Sequence, residues 1–133
     1  IHVRAQLART GLTGMQEIAD AIAKGATGAE TKAQQPTVLT LVREIVMRQP
    51  AEGYAQSCEA LARAESAAIE QIRVPTLLVT GDQDGVAPAA NVAAMAARIP
   101  GSQTQVLEAC GHWTPFEQPA RCRQALQSFY TSF

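Results

Sequence analysis

The sequence predicts an α/β fold in which a helical first half is followed by alternating strands and helices. Residues 1–70 contain only helix-type patterns, whereas residues 71–133 contain two short strand-like runs, each followed by a helical pattern. In addition, 47% of the 133 residues are hydrophobic and 17% are charged, which is typical of a globular domain with a core. We therefore expect two segments, 1–70 and 71–133.

Amphipathic helices account for most of the first segment. The pattern is strongest after Pro36, where apolar residues recur at intervals of three and four, and Pro50 lies just beyond its end. The polar segment from Glu30 to Pro36 is predicted to be a loop. The predicted helices are Met15–Lys24, Thr37–Arg48 and Ala51–Ala64, with one more helical turn over 66–71.

The second segment has the order strand, helix, strand, helix. Thr76–Thr80 is a continuous apolar run, as in strands buried in parallel sheets, and Gln103–Leu107 is the second strand. The predicted helices are Pro88–Ile99 and Glu117–Tyr130. Connections of this length predict parallel strands. Because two strands are too few for a stable sheet, we expect this segment to be the end of a larger one.

Acidic residues and a histidine follow the two predicted strands. Asp82 and Asp84 come after the first strand, and His112 comes after the second. The carboxyl ends of parallel strands meet at one edge of a sheet, where ligands bind, so we expect these residues to lie close together. A carboxylate beside a histidine fixes its tautomer and stabilises the imidazolium formed when the ring takes a proton. Each residue alone would be ordinary turn chemistry, but the pair indicates a general base.

Several stretches between Ile72 and Phe129 together match one known family. They are Ile72-Arg73-Val74-Pro75-Thr76-Leu77-Leu78, Gly81-Asp82-Gln83-Asp84 with Val86 and Pro88, Ile99-Pro100-Gly101, Gly111-His112 and Glu117-Gln118-Pro119. On these stretches the sequence resembles the closing segment of α/β-hydrolases. The resemblance implies that Asp84 is the acid of a catalytic triad, with Asp82 as the alternative, and that His112 is its histidine.

The first half is similar to the helical cap of 3-oxoadipate enol-lactonases and their esterase relatives. This similarity is carried by Gly14-Met15, Glu52-Gly53-Tyr54-Ala55 and Cys58-Glu59-Ala60. The resemblance implies a partial α/β-hydrolase fold, with a cap over 1–70 followed by the last two parallel strands and their helices. It also implies a serine hydrolase of carboxylic esters or lactones, with a small-molecule substrate and no cofactor.

The residue after the histidine suggests a second activity. Gly111-His112-Trp113 is similar to hydrolases that cleave C–C bonds in meta-cleavage products and to epoxide hydrolases, where the tryptophan borders the active site. The resemblance therefore gives Trp113 and Val86 as substrate-pocket residues. The alternative for Trp113 is packing near Phe116.

The family's nucleophile motif, Gly-x-Ser-x-Gly, is not present in the sequence. In chain order the nucleophile precedes the acid and the histidine, so we expect it upstream of Ile1, in a missing N-terminal half of the same protein. The chain alone is then expected to be inactive. It would be a nicked or truncated enzyme, or a non-catalytic fragment that uses Thr37–Arg48 as an interaction face.

Composition argues against other classes of function. The net charge is −1 and the pI is about 6.1, with no basic stripe for nucleic acid. No apolar run is long enough for a membrane span. We expect a cytoplasmic protein whose open sheet edge is covered by pairing with another segment or in a homo-oligomer. Cys58, Cys110 and Cys122 form no disulfide or zinc pattern. Cys110 near His112 is interpreted as a small buried loop residue rather than a thiol nucleophile or metal ligand.

Overall fold

The computed structural model describes all residues from Ile1 to Phe133. It contains eight α-helices, one 3₁₀ turn at Ile69–Gln71 and a sheet of two strands. This order of elements confirms the predicted fold class. The strands are β1 (Leu77–Gly81) and β2 (Gln103–Leu107). The helices are α1 (His2–Ala8), α2 (Leu12–Gly25), α3 (Ala29–Gln34), α4 (Pro36–Met47), α5 (Ala51–Arg63), α6 (Ala89–Arg98), α7 (Thr114–Glu117) and α8 (Pro119–Tyr130).

The chain forms two compact units, which differ from the segments expected from the sequence. One unit contains Ile1–Gly25 and Leu39–Ser66, and the other contains Ala26–Val38 and Ala67–Phe133. Residues 26–38 thus belong with the sheet, whereas the sequence pattern groups them with the helical half. Residues 26–38 also contact the loops that follow the two strands.

The first unit is entirely helical, and α1 packs against α2 and α5. Small alanines on α1 allow this close approach. Arg9, which follows α1, binds both carboxylate oxygens of Glu52 at 2.9 and 3.0 Å and one oxygen of Glu59 at 2.6 Å, so it ties α1 to α5. The buried apolar residues of this unit's core are Ala5, Ala8, Met15, Ile18, Ala19, Val46 and Ala55.

The second unit is built on the sheet. The strands are parallel, as predicted, with Leu77 opposite Gln103 and Gly81 opposite Leu107. Helices α6 and α8 contact both strands. Parallel pairing brings the two carboxyl ends side by side, so the loop after β1 (residues 82–88, the acid loop) meets the loop after β2 (residues 108–113, the histidine loop). The outer edges of both strands are unpaired in this sheet.

Two helical predictions need correction. The predicted loop from Glu30 to Pro36 is wrong, because α3 occupies most of it. Only Thr31 of α3 is buried, so the helix has no apolar periodicity to reveal it. The last predicted helix, Glu117–Tyr130, begins two residues later, at Pro119, whose fixed φ suits the first position of a helix, and Glu117 instead ends the short helix α7. No helix has the length and hydrophobicity needed to cross a membrane.

Candidate active site

The acid loop turns back on itself around Asp84. The Asp84 side chain is only 3% exposed. Its Oδ1 accepts hydrogen bonds from the backbone N–H groups of Val86 and Ala87, both at 2.8 Å. The hydroxyl of buried Thr80 on β1 lies 3.4 Å from Asp84 Oδ2 and donates to the carbonyl of Ala87 at 3.0 Å. Oδ1 is therefore held by the backbone of the loop, whereas Oδ2 accepts no hydrogen bond from that backbone.

The histidine loop brings His112 to that second oxygen. His112 Nδ1 lies 2.9 Å from Asp84 Oδ2. The imidazole side chain is 41% exposed, and Nε2 has no hydrogen-bond partner in the chain. With Asp84 ionised, the ring is protonated at Nδ1, and this N–H donates a hydrogen bond to the carboxylate. The Nε2 lone pair is then available as a base.

Asp82, the alternative acid, has a different partner. Its Oδ1 accepts from the backbone N–H of Cys110 at 3.1 Å, which links the acid loop to the histidine loop. It makes no contact with the imidazole. Of the two acids after β1, the structure therefore brings Asp84 and not Asp82 to His112.

Opposing effects act on the Asp84 carboxyl. Burial raises its pKa, but the hydrogen bonds from Ala87 N–H, the His112 side chain and Val86 N–H together lower the pKa by more. The result is a pKa below its ordinary value of 3.8. Asp84 is therefore ionised at neutral pH, as a partner for an imidazolium must be.

The two loops touch at the backbone, at the end of β1. The N–H of Asp82 donates to the carbonyl of Leu107, and the N–H of Gln83 donates to the carbonyl of Cys110, both at 2.9 Å. A Cβ on Gly81 would lie 2.1 Å from the Cys110 carbonyl oxygen and 2.4 Å from that of Gly111. Glycine at this position is what allows the loops to approach each other.

The predicted pocket residues lie next to the pair, in different environments. The Trp113 ring packs edge-on to His112, with centroids 6.4 Å apart, and lies 5.9 Å from Phe116. Both placements considered from the sequence, beside the histidine and against Phe116, are present. Trp113 Nε1 is buried without a hydrogen-bond partner. The Val86 side chain is 61% exposed, and its backbone N–H binds Asp84.

A cavity of about 410 Å³ lies elsewhere in the second unit, beside β2 and α8. Gln105, Arg121 and Gln124 are among its lining residues. None of the predicted site residues lines it, and its lining contains no histidine that could serve as a base for Ser128. We therefore assign the candidate site to the loops and not to this cavity.

Cys110 is fully buried, and its thiol has no catalytic environment. Burial, together with the nearby carboxylates of Glu117, Asp82 and Asp84, raises its pKa to about 12. A protonated thiol is a poor nucleophile and a poor metal ligand. No group of three or more His, Cys, Asp or Glu side chains is arranged to hold a metal ion.

Sequence reasoning missed Glu117 as a site residue. It is buried, and its carboxylate binds the backbone of the histidine loop. The available signs were its place shortly after Gly111-His112 and its presence in the matching stretch Glu117-Gln118-Pro119, but in sequence it is also an ordinary first-turn residue of a helix.

The chain is similar to known proteins in sequence and in structure. The sequence profile of the family described as alpha/beta hydrolase fold matches residues 33–119. The chain is similar to 3-oxoadipate enol-lactonase 2 of Acinetobacter baylyi, with 32% identity over 99 residues, which make up 74% of this chain and 37% of that protein.

Two solved structures are similar over nearly the whole chain. An enol-lactonase from Burkholderia xenovorans has 30% identity and a TM-score of 0.88, covering 99% of this chain and 50% of that one. A thermophilic esterase from Thermogutta terrifontis has 28% identity and a TM-score of 0.88, covering 97% of this chain and 48% of that one. The chain thus spans about half the length of these structures and about a third of the curated relative.

Proposed function

Because this chain belongs to the α/β-hydrolase fold family, we propose that it supplies the acid and the histidine of a serine hydrolase that cleaves carboxylic esters or lactones. The observation that carries the proposal is the 2.9 Å contact between His112 Nδ1 and buried Asp84, with Nε2 left free. The similar enol-lactonases and the esterase support the substrate class.

The proposed reaction gives a role to each ring nitrogen of His112 and to the Asp84 carboxylate. Nε2 of His112 takes the proton from a serine hydroxyl as the oxygen attacks the carbonyl carbon of the ester or lactone. Asp84 keeps Nδ1 protonated and stabilises the imidazolium that forms. The imidazolium then gives its proton to the departing alkoxide, and the same base activates a water that releases the acid.

The serine is proposed to come from a further segment of the same protein, the N-terminal half, which precedes this chain. Two observations support this. The chain has no Gly-x-Ser-x-Gly motif and covers about half of the similar enol-lactonase. The outer edge of β1 is also unpaired. On this proposal the chain alone is inactive, and the helical unit of residues 1–25 and 39–66 is the cap.

The test is turnover of a p-nitrophenyl ester by the complete protein. We expect His112→Ala to lower kcat about 10⁶-fold, the loss found for a triad histidine. We expect Asp84→Asn to lower it about 10⁴-fold, because the amide favours the wrong tautomer. Asp82→Asn is the matched control: it keeps an acceptor for Cys110 N–H and should change kcat by less than about threefold. Near-normal rates for the first two variants would contradict the assignment.

A second candidate activity, cleavage of C–C bonds or epoxides, is favoured by Trp113. Its ring borders His112, and its buried indole N–H lacks an acceptor that a substrate oxygen could supply. Trp113→Phe keeps an aromatic ring and removes only the donor. If the N–H binds substrate, KM for the true substrate class should rise about fivefold or more. Assaying the complete protein on a meta-cleavage product, an epoxide and an ester separates the candidate activities.

A further inference from the structure

A buried carboxylate that takes no part in the proposed proton transfer lies against the histidine loop. Glu117, the last residue of α7, is 2% exposed. Its Oε2 accepts from Gly28 N–H at 2.7 Å, from the Thr31 hydroxyl at 2.7 Å and from Gly111 N–H at 3.1 Å. Its Oε1 accepts from Trp113 N–H at 3.0 Å. No Lys or Arg pairs with it, so hydrogen bonds alone offset the cost of its burial.

These bonds hold the backbone on both sides of His112. The N–H groups of Gly111 and Trp113, which flank it, both donate to Glu117. The N–H of His112 itself donates to the carbonyl of Ala26 at 2.8 Å. All these donors are therefore held by partners outside the loop, and the fixed backbone sets the direction in which the imidazole points.

The same network reaches the acid loop through the start of α3. Gln83, the residue before Asp84, accepts with its Oε1 from the backbone N–H of Ala29 at 2.7 Å. Gly28, one residue earlier, donates to Glu117. The first turn of α3 is thus bonded to both loops, through Gln83 on the acid side and Glu117 on the histidine side.

The backbone of the histidine loop also needs this support. Ala109 has a φ of 53°, in the left-handed region that residues with a Cβ rarely adopt. Such a conformation persists when surrounding contacts fix it. Contact with the 26–28 segment is close, because a Cβ on Gly111 would lie 2.6 Å from Gly28 N and 2.7 Å from the Ala26 carbonyl oxygen.

We propose that Glu117 is a positioning residue for the Asp84–His112 pair. Its carboxylate fastens the histidine loop to the start of α3, and α3 fastens the acid loop through Gln83. A carboxylate suits this role because it accepts about four hydrogen bonds and donates none. The catalytic consequence rests on the proposed function, whereas the orientation of His112 can be measured without it.

Glu117→Gln is the test variant, and Thr31→Val is its matched control. The glutamine keeps the size of the side chain but turns an NH₂ group toward a donor. Thr31→Val removes one bond to the same carboxylate and leaves both donors beside His112 in place. In the complete protein, Glu117→Gln should lower kcat about 10²-fold with KM unchanged, the loss that follows a displacement of about 1 Å. Thr31→Val should lower kcat less than about threefold.

A proton resonance provides a readout that needs no turnover. An imidazole Nδ1–H bonded to a carboxylate resonates far downfield, and we expect this His112 signal to be retained in Thr31→Val and shifted or lost in Glu117→Gln. If Glu117→Gln does not fold, Gln83→Leu and Gln83→Glu replace it. Leucine removes the acceptor for Ala29 N–H and glutamate restores one, so only the leucine variant should lose signal and kcat.

The proposal is overturned if folded Glu117→Gln keeps both the His112 resonance and the wild-type kcat. It is also overturned if kcat falls as far in Thr31→Val as in Glu117→Gln. If the two Gln83 variants are used instead, equal kcat and equal His112 signals in both overturn it. A protein without hydrolytic turnover whose His112 signal still responds to Glu117→Gln would contradict the proposed function and support the positioning role.

Discussion

At the scale of single residues, burial decides which of the three cysteine thiols can react. Cys110 lies two positions before His112, yet it is fully buried and its pKa is raised to about 12. Cys58 and Cys122 are only partly buried. We expect a maleimide to label these two in the native protein and to leave Cys110 unlabelled until the chain is unfolded, as measured by peptide mass spectrometry. Rapid native labelling of Cys110 would refute the packing described for the histidine loop.

The lowered pKa of Asp84 has a consequence for stability at acid pH. The unfolded chain binds this proton more tightly than the folded chain, because hydrogen bonds from Ala87, His112 and Val86 favour the folded carboxylate. The stability that ionised Asp84 contributes is therefore fully present when the pH is above 3.8, the ordinary pKa. It is lost as the pH falls through the lower pKa of the folded state. The difference in unfolding free energy between wild type and Asp84→Asn should narrow as pH falls below about 4. Asp82→Asn, measured in the same way, is the control. If the difference in unfolding free energy between wild type and Asp84→Asn does not change with pH, this linkage is contradicted.

At the scale of elements, the approach of the two loops depends on the end of β1. A Cβ on Gly81 meets backbone carbonyl oxygens at 2.1 and 2.4 Å, and these atoms cannot move without moving the histidine loop. We expect Gly81→Ala to destabilise the protein by about 1–3 kcal/mol or more. Gly85, in the same acid loop, has open space around its Cβ position, so Gly85→Ala should change stability by less than about 0.5 kcal/mol. The midpoints of urea unfolding measure both variants. If Gly81→Ala and Gly85→Ala lower the midpoint equally, the close approach of the two loops at Gly81 is contradicted.

The strands that the sequence predicted well have clear signals in or beside them. β1 was predicted to within one residue, because its apolar run lies between Pro75 and Gly81, and β2 was predicted at its observed bounds, because Pro100-Gly101 ends the helix before it. α3 was missed, because it presents only Thr31 to the interior. Its position depends on Glu117 and Gln83, which are far away in sequence and leave no local pattern.

The candidate site divides in the same way. Asp84 and His112 could be predicted because topology brings the residues after adjacent parallel strands together. The choice of Asp84 over Asp82 came from resemblance, and the geometry supplies its physical reason in the 2.9 Å contact. The role of Glu117 could not be predicted, because two of its four donors, Gly28 and Thr31, are 89 and 86 residues away in sequence.

At the scale of the whole molecule, the two outer edges of the sheet have different characters. β1 is apolar along Leu77, Leu78 and Val79, as interior parallel strands are. β2 is polar from Gln103 to Gln105 and largely exposed, as edge strands are. This asymmetry indicates that any further strand of the complete protein pairs with β1 and leaves β2 at the edge.

Hydrogen exchange in the complete protein tests this assignment. Amide groups of a strand point alternately to its two neighbours, so an interior strand is protected at every residue and an edge strand at every second one. We expect slow exchange throughout Leu77–Gly81 and alternating slow and fast exchange along Gln103–Leu107. β2 is the internal control, since both strands share one ladder. Alternating exchange in β1 would mean that no strand covers it, and the proposed N-terminal half would then have to join this chain elsewhere.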